Sequence, residues 1–588
     1  MHPFPIESIR ADFCVVGGGL AGLCAAIAAA RHGARTVLMQ ERPMLGGNAS
    51  SEIRMWVCGA QAPFCRETGL IEELLLENYF RNPGKNYSVW DSVLLGAAWA
   101  EPNLTLLLNC SCFDGETDDG RLLSVTGWQT TTQRFVRVQA DLFADCSGDS
   151  VLAPIAGAET RTGREGRNET GEPIAPPIAD RRTMGMSCLL QARECADEQP
   201  FTPPDWAEKL TAADFAHRLP HLRSDAENFW YLELGGEDDC IADTERVRDA
   251  LLRLAYGVWD FLKNDPSQRD KHRNFALDWV GVLPGKRESR RYVGDYVLTQ
   301  QDVEAGGRFD DLVAYGGWPM DDHDPAGFRT AAPPNRNWPV PDTYGIPYRC
   351  LYARNVANLF CAGRNISVTH AAMSSTRVMA TCALLGQAVG TAAALAAQLR
   401  TTPRGVYERH LAALQRALLD DDCWLPGLVR PVSPLTRAAA LASDMRCAER
   451  LRSGVDRDLP GEEHAAYGPP GCSAVYRFAA PAEVALVRLT LDSDLNRLTL
   501  PAREAALNRP MWHNALPGRA PSHPPQTLLR DLDLVCVRPD GTERVIEVRD
   551  NRKRLVRLPV GERLTAVRLV LRRTWGAAQC NVFAFEAV

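Results

Sequence analysis

No two cysteine pairs in this chain stand in the CxxC spacing that builds a zinc cluster, although it has 18 cysteines. That excludes such a centre, and no metal site is expected. The thiols are scattered singly, as at Cys14, Cys24, Cys58, Cys146, Cys361 and Cys382. Several lie in apolar runs, where a thiol packs as a small hydrophobe. That usage suits a reducing, cytoplasmic setting. A dense basic run is also missing, and the formal net charge is -7, so nucleic acid is not an expected partner. The one locally basic string, Asn551-Arg552-Lys553-Arg554 within 549–557, reads as a solvated strand or turn. Residues 1–11 hold two prolines and charged groups but no apolar stretch, which argues against a secretory signal. The longest apolar stretches are broken by glycine or charge before the ~20 residues that span a bilayer, so no membrane partner is expected. Internal repeats and low-complexity segments are absent as well.

What is there is an ordinary globular composition, 45% hydrophobic and 24% charged, over 588 residues. One hydrophobic core does not serve a chain of this length, so two or three domains are expected.

The most specific signal stands near the start. Asp12 to Val16 is an apolar run suited to a buried strand, and Gly17-Gly18-Gly19-Leu20-Ala21-Gly22 follows at once. Leu23 to Arg31 is alanine-rich and helical, Thr36 to Met39 a second strand, and Glu41 lies just past its end. Gly17 permits the tight turn, Gly19 lets backbone approach a pyrophosphate, and Gly22 lets helix and strand pack closely. The helix N-terminus, at Leu20 and Ala21, offers free N–H groups to phosphates. Glu41, with Arg42 beside it, is placed for the adenosine ribose. A GxGxxG alone is weak; strand, glycines, helix, second strand and acid in that order are strong evidence for a dinucleotide.

Three later pieces extend the signal. Gly46-Gly47-Asn48-Ala49-Ser50-Ser51 follows the acid. Leu142 to Asp149 is an apolar strand ending in Ser147-Gly148-Asp149. Asn358 to Arg364 is a strand running into Gly363-Arg364, ahead of a small-residue helix read over 371–399. The glycine pair after the acid resembles the glutathione-reductase-like FAD fold, and within it the branch of the fumarate reductase and succinate dehydrogenase flavoproteins. Taken whole, the pieces resemble the bacterial FAD-dependent oxidoreductases, with matching segments at 46–60, 66–91, 286–302, 346–351 and 360–390. That resemblance implies FAD as cofactor, an α/β Rossmann-like domain, and an enzyme of redox type. It further implies that the 371–399 helix aims its N-terminus at the pyrimidine end of the flavin. The cofactor contacts it implies are Gly46, Gly47, Asn48, Ser50, Ser51, Gly148, Asp149, Gly363 and Arg364. No second complete GxGxxG supports a nicotinamide site.

The FAD-binding domain is expected at 1–150 and 350–435, with an α+β substrate or cap domain inserted at 151–349. Within the insertion, 284–292 is dense in arginine, whose planar fork suits carboxylates or sugar hydroxyls; Arg290 is the candidate, with a solvated strand end as the alternative. Hydride chemistry at a carbon bearing a hydroxyl needs a base, and histidine is the commonest. His370 is one candidate, because its connection should run close to the flavin, with Ser374, Ser375, Thr376 and Arg377 as neighbouring donors. His323 is the other, in Asp321-Asp322-His323; for both the alternative is a packing or capping role. Cys58 is weighed as a thiol near the flavin or an inert one. The glycine- and arginine-rich stretch 161–177 reads as an exposed loop.

From about Tyr467 the chain alternates in short strands with Pro/Gly turns, read at 473–478, 484–491, 532–537, 542–548, 566–571 and 582–587. Residues 436–588 are therefore expected to form a β-sandwich, loosely similar to galactose-binding-like jelly rolls, which bind sugars in some proteins and mediate dimers in others. The expected function is hydride transfer between flavin N5 and a small polar substrate, a carbohydrate derivative or hydroxy acid. The alternative is non-redox flavin chemistry or a structural FAD, with the sandwich as a binding or oligomerisation module. The electron donor or acceptor and a homo-oligomeric state are left open.

Overall fold

The computed structural model describes residues 4–223, 227–499 and 513–588; residues 1–3 of the N-terminal reading and 500–512 of the C-terminal one lie outside them. Two compact units result. One comprises Met1–Gly59, Gly84–Leu414 and Leu507–Pro521, the other Ala60–Pro83, Gln415–Ala506 and Ser522–Val588. Neither exchange follows from linear boundaries at 150, 350 and 435.

The first unit is built on a mixed sheet. Ile6–Val16 lies between Thr36–Met39 and Arg134–Asp145; Leu104–Leu107 and Leu359–Cys361 extend the two sides, and all four of these pairings are parallel. The buried ends of these strands read Phe13-Cys14-Val15-Val16 and Thr36-Val37-Leu38-Met39. Such unbroken runs are what a strand covered on both faces requires. On the edge away from Ile6–Val16, the 12-residue strand Arg134–Asp145 is shared: its first half pairs antiparallel with Arg121–Gln129, its last three residues with Leu359–Cys361. The α/β Rossmann-like class is thus the observed one.

Two apolar helices cover the sheet. A Cβ on Gly386 would stand 1.9 Å from the Ala21 carbonyl oxygen, and one on Gly390 2.1 Å from that of Ala25. Helices Leu20–Arg31 and Met379–Leu399 therefore touch backbone to backbone. The single helix read over 371–399 is in fact two, His370–Thr376 and Met379–Leu399, parted where Val378 turns extended (ψ 146°). One further expectation is corrected. Met379–Leu399, with 21 residues and a mean hydropathy of 1.5, is long and apolar enough for a membrane span. Its glycines reduce bulk, not hydropathy. In the fold 89% of its most apolar 18-residue window is buried inside the protein, as a core helix apolar on all sides must be.

The inserted region holds short antiparallel pairs and one long amphipathic helix, Thr244–Asn264. Leu254, Val258, Trp259, Phe261 and Leu262 of that helix pack with Phe215, Phe229 and Phe275. Lys263 closes it by donating to the carbonyls of His272, Arg273 and Phe275 at 2.7–2.8 Å. The stretch 161–177 is less exposed than its composition suggests. Glu165 and Glu172 are buried, and Glu172 accepts from the Gln300 N–H and the Thr369 hydroxyl.

Among the described residues the second unit is an antiparallel β-sandwich of seven strands. Ser473–Leu491 and Leu555–Thr574 run 19 and 20 residues, so 473–478 and 484–491 are one strand. Their mutual register shifts between Arg477 and Ala482 and between Val484 and Leu486; such irregularities let one strand turn from layer to layer. Alanine-rich sequence stops being helical at Ala438, and Ala440–Ser443 adds a strand instead. Arg554, in the string read as solvated, is buried on Asp422 at 2.8 Å. Arg497 is likewise buried, against Glu72.

Gly386→Ala is expected to destabilise the protein by about 1–3 kcal/mol, because backbone must separate to admit the methyl; an unchanged melting temperature would refute the contact. Arg497→Met should cost ~3–5 kcal/mol by leaving Glu72 buried and unpaired, and Glu72→Leu added to it should recover most of that loss.

Candidate active site

The first strand ends in a turn that only glycine fits. Gly17 has φ +101°, and a Cβ there would lie 2.5 Å from the Cys146 backbone. At Gly22 a Cβ would meet the Gly17 carbonyl at 1.8 Å. Gly19 differs: a Cβ would find only the Gly47 Cα, at 3.9 Å. It is also the N-cap of Leu20–Arg31, with no side chain capping the first N–H groups. Gln40 stitches the turn, its side-chain oxygen accepting from the Gly18 N–H at 2.7 Å, and the Gly46 N–H donates to the Gly18 carbonyl at 2.8 Å. Two glycine loops thereby form one wall.

That wall bounds a cavity of about 570 Å³. Gly17, Gly19, Leu20, Ala21, Glu41, Arg42, Gly46, Gly47, Asn48, Gly148, Asp149, Gly363, Arg364, Arg377, His323 and Cys58 all border it. Bare backbone at Gly19 and Gly47, uncapped helix N–H groups and Glu41 at the end of the second strand fit a dinucleotide laid along this wall. On the far side Asp149 holds Lys286 and Arg364, each at 2.8 Å. Burial works against the Asp149 charge, but Arg364 and Lys286 prevail and hold its carboxyl below the usual range. The turn carrying it hangs on buried Asp145, which accepts from the Ser147 and Leu152 N–H groups and the Tyr292 hydroxyl.

A second group of charges borders the cavity from the inserted region. Met320–His323 is a strand, so Asp321 and His323 share one face and Asp322 takes the other. His323 stands between two carboxylates, Nδ1 at 2.6 Å from Glu233 and Nε2 at 3.3 Å from Asp321. Burial opposes its charge, yet Glu233 and Asp321 outweigh burial and raise its pKa. Asp321 also accepts from Asn335 at 2.6 Å and from Arg377 at 3.1 Å. Arg287 donates to the Trp230 carbonyl and Ser187 hydroxyl and lies 3.5 Å from Glu233. Arg287, Asp321, Asn335 and Trp318 all border the cavity. Sequence reasoning missed Gln40, Glu233, Asp321 and Arg287 as site residues. The two-residue spacing of Asp321 and His323 was the available signal for one of them.

Several expected site residues stand elsewhere. His370 does not border the cavity: it is buried, with Nδ1 2.9 Å from Glu288 and Nε2 3.1 Å from Asp322. Arg290 donates to the Asp149 carbonyl at 3.1 Å, bracing that turn from outside the cavity, where Arg287 takes the inner place. Ser374 donates to the Ala371 carbonyl of its own helix and Ser375 to that of Trp318, so both hydroxyls are spent on protein carbonyls; buried Thr376 does not border this cavity either. Ser50 is buried, and Ser51 offers its N–H to Asp91 at 3.1 Å. Gly22 packs instead of lining the cavity. The cysteines stand as thiols, not as disulfides.

Burial opposes the charge on His370, but Glu288 and Asp322 prevail and raise its pKa to about 10. An exposed histidine titrates near 6.5. The stabilisation is therefore complete below about pH 6.5 and is lost as pH rises through about 10. Against His370→Gln, the wild-type advantage in unfolding free energy should be largest near pH 6 and shrink steadily toward pH 10; an advantage independent of pH would refute the charged pair.

The family profile described as FAD dependent oxidoreductase matches residues 12–418. Among solved structures, a geranylgeranyl bacteriochlorophyll reductase-like protein from Thermoplasma acidophilum is 13% identical, with 71% of this chain and 86% of that one covered and a TM-score of 0.33. The family 32 carbohydrate-binding module of Streptococcus pneumoniae EndoD is 14% identical over 26% of this chain and 99% of its own, with a TM-score of 0.20. The myxobacterial halogenase CndH, titled a variant of FAD-dependent halogenases, is 15% identical over 33% of this chain and 45% of its own, at a TM-score of 0.22. With its glycine-lined cavity and a match spanning most of its length, the chain belongs to the FAD-dependent oxidoreductase family and takes FAD as its cofactor.

Proposed function

We propose that this enzyme transfers a hydride between flavin N5 and a small hydroxylated or oxo carboxylic acid, with His323 moving the accompanying proton. The observation that carries this reading is the Arg287–Glu233–His323–Asp321–Arg377 group, whose Arg287, His323, Asp321 and Arg377 border the same cavity as the dinucleotide glycines.

Bound flavin supplies N5 as hydride donor or acceptor. The remaining work falls to the chain. Glu233 accepts from Nδ1 and fixes the ring of His323. Nε2 makes the longer of the two contacts, 3.3 Å to Asp321, and is the nitrogen left to meet a substrate oxygen. Its raised pKa favours the protonated His323 that gives a proton to a carbonyl oxygen as the neighbouring carbon is reduced. Oxidation of the hydroxyl runs the same proton through the same nitrogen in reverse. Arg377 holds Asp321 in place through both its backbone and carboxylate oxygens, at 2.9 and 3.1 Å. Three cations, Arg287, Arg377 and protonated His323, meet two carboxylates, Glu233 and Asp321, so the group carries one positive charge in excess. In a low-dielectric pocket that excess favours an anionic substrate. Trp230 and Trp318, which also border the cavity, provide apolar cover against water.

The test is anaerobic visible absorbance of the holoenzyme with hydroxy acids, uronic acids and neutral sugars added in turn, followed by oxo acids added to the photoreduced enzyme. Carboxylated compounds should bleach the flavin or reoxidise it, and neutral sugars should not. His323→Asn should slow that step by about 10²–10⁴-fold while FAD stays bound. Bleaching by neutral sugars alone would overturn the carboxylate reading. A flavin that no compound bleaches or reoxidises would favour non-redox chemistry.

A further inference from the structure

His370 lies behind the cavity wall, not in it, and the two segments it ties together are the ones that carry the cavity charges. On one side it bonds Glu288, through Nδ1 at 2.9 and 3.0 Å. Glu288 adjoins Arg287, which borders the cavity. On the other side Nε2 bonds Asp322 at 3.1 Å. Asp322 lies between Asp321 and His323, both of which border the cavity from the opposite face of the same short strand.

From this arrangement we infer that His370 is a positioning residue: with Glu288 and Asp322 it braces Arg287 and the Asp321–His323 pair from behind. The inference rests on the reading of His323 as the proton-moving group, but it concerns how that group is held.

Glu288 and His370 are held again by further bonds, and Asp322 by its place in a paired strand. The Glu288 carboxylate also accepts from the Met184 N–H at 2.9 Å and pairs with Arg291. Arg291 reaches Glu165 at 2.8 Å, and Glu165 accepts from the backbone N–H of His370 at 2.8 Å. Arg164 lies close enough to act electrostatically on both Glu288 and Asp322. The strand Met320–His323 is itself only four residues long, paired with Asn335–Trp338. A strand that short depends on anchors from outside to keep side chains within the ~0.5 Å that proton transfer demands. The other charged groups facing His323 are Glu233, Asp321, Arg287 and Arg377, and Asp322 acts on it from behind.

Charge and position predict opposite effects, which makes the inference testable. Removing a cation behind His323 raises the His323 pKa, because a like charge is gone and Asp322 and Glu288 stay negative. Releasing the brace lowers it, because Asp321 and Glu233 drift from the ring they hold charged. Asparagine can imitate the Nδ1 half of His370 and glutamine the Nε2 half, but neither spans both carboxylates.

The experiment follows the ring carbons of ¹³C-labelled histidine by NMR in the full-length FAD enzyme as pH is raised, in wild type, His370→Asn and His370→Gln. The His323 signal is identified as the one missing from His323→Asn. The inference expects the His323 pKa to fall by about one pH unit in both variants. A His323 pKa that is unchanged or raised in either variant overturns it. The reading of His323 as the proton group is tested separately: full-rate bleaching in His323→Asn would sink that reading, whatever the NMR titration shows.

Discussion

Contact between backbones, with no side chain interposed, is the constraint on which the first unit depends. Gly22 lets its helix sit on the Gly17 carbonyl, and Gly386 and Gly390 let a second helix sit on the carbonyls of Ala21 and Ala25. Strand, first helix and second helix are thereby locked at distances that no Cβ allows. The same layering brings the first strand's final turn so close to the Cys146 backbone that a Cβ on Gly17 would stand 2.5 Å from it. Because that turn cannot move, the bare face of Gly19 and the uncapped helix start open onto one fixed cavity. The cofactor cradle is the unfilled edge of a packing arrangement.

Charge organises the opposite walls. Every cation there is held by a carboxylate: Lys286 and Arg364 by Asp149, Arg377 by Asp321, Arg287 beside Glu233. An unpaired buried charge costs several kcal/mol, so these groups come in bonded sets. His323 and His370 follow the same rule, each with its two ring nitrogens on two different carboxylates. One borders the cavity and the other does not, and that difference separates a group able to meet substrate from one that holds the wall in place.

Much of the cradle was legible because its signals are local. A strand, a GxGxxG turn, an alanine-rich helix and an acid at the end of the next strand lie within about 30 residues, the extent of one βαβ unit. His370 was placed at the flavin on the reasonable ground that the connection from the closing strand to the next helix should run close to it. Its partners, Glu288 and Asp322, are 82 and 48 residues distant, and spacing cannot reveal them. The hydroxyls of Ser374 and Ser375 were misjudged because their acceptors, the carbonyls of Ala371 and of the distant Trp318, are set by the fold. The exchange of 60–83 and 507–521 between the units was illegible for the same reason: it depends on which distant surfaces bury one another.

The sequence by itself determined the α/β class, the dinucleotide turn and the alternating strands of the sandwich, since glycine conformational freedom and hydrophobic period act over a few residues. Only the tertiary structure decided which arginine and which histidine border the cavity. Along 287–291 and 320–323 neighbouring residues of like chemistry point to opposite sides, and the side that becomes the cavity is set by elements packed from elsewhere in the chain.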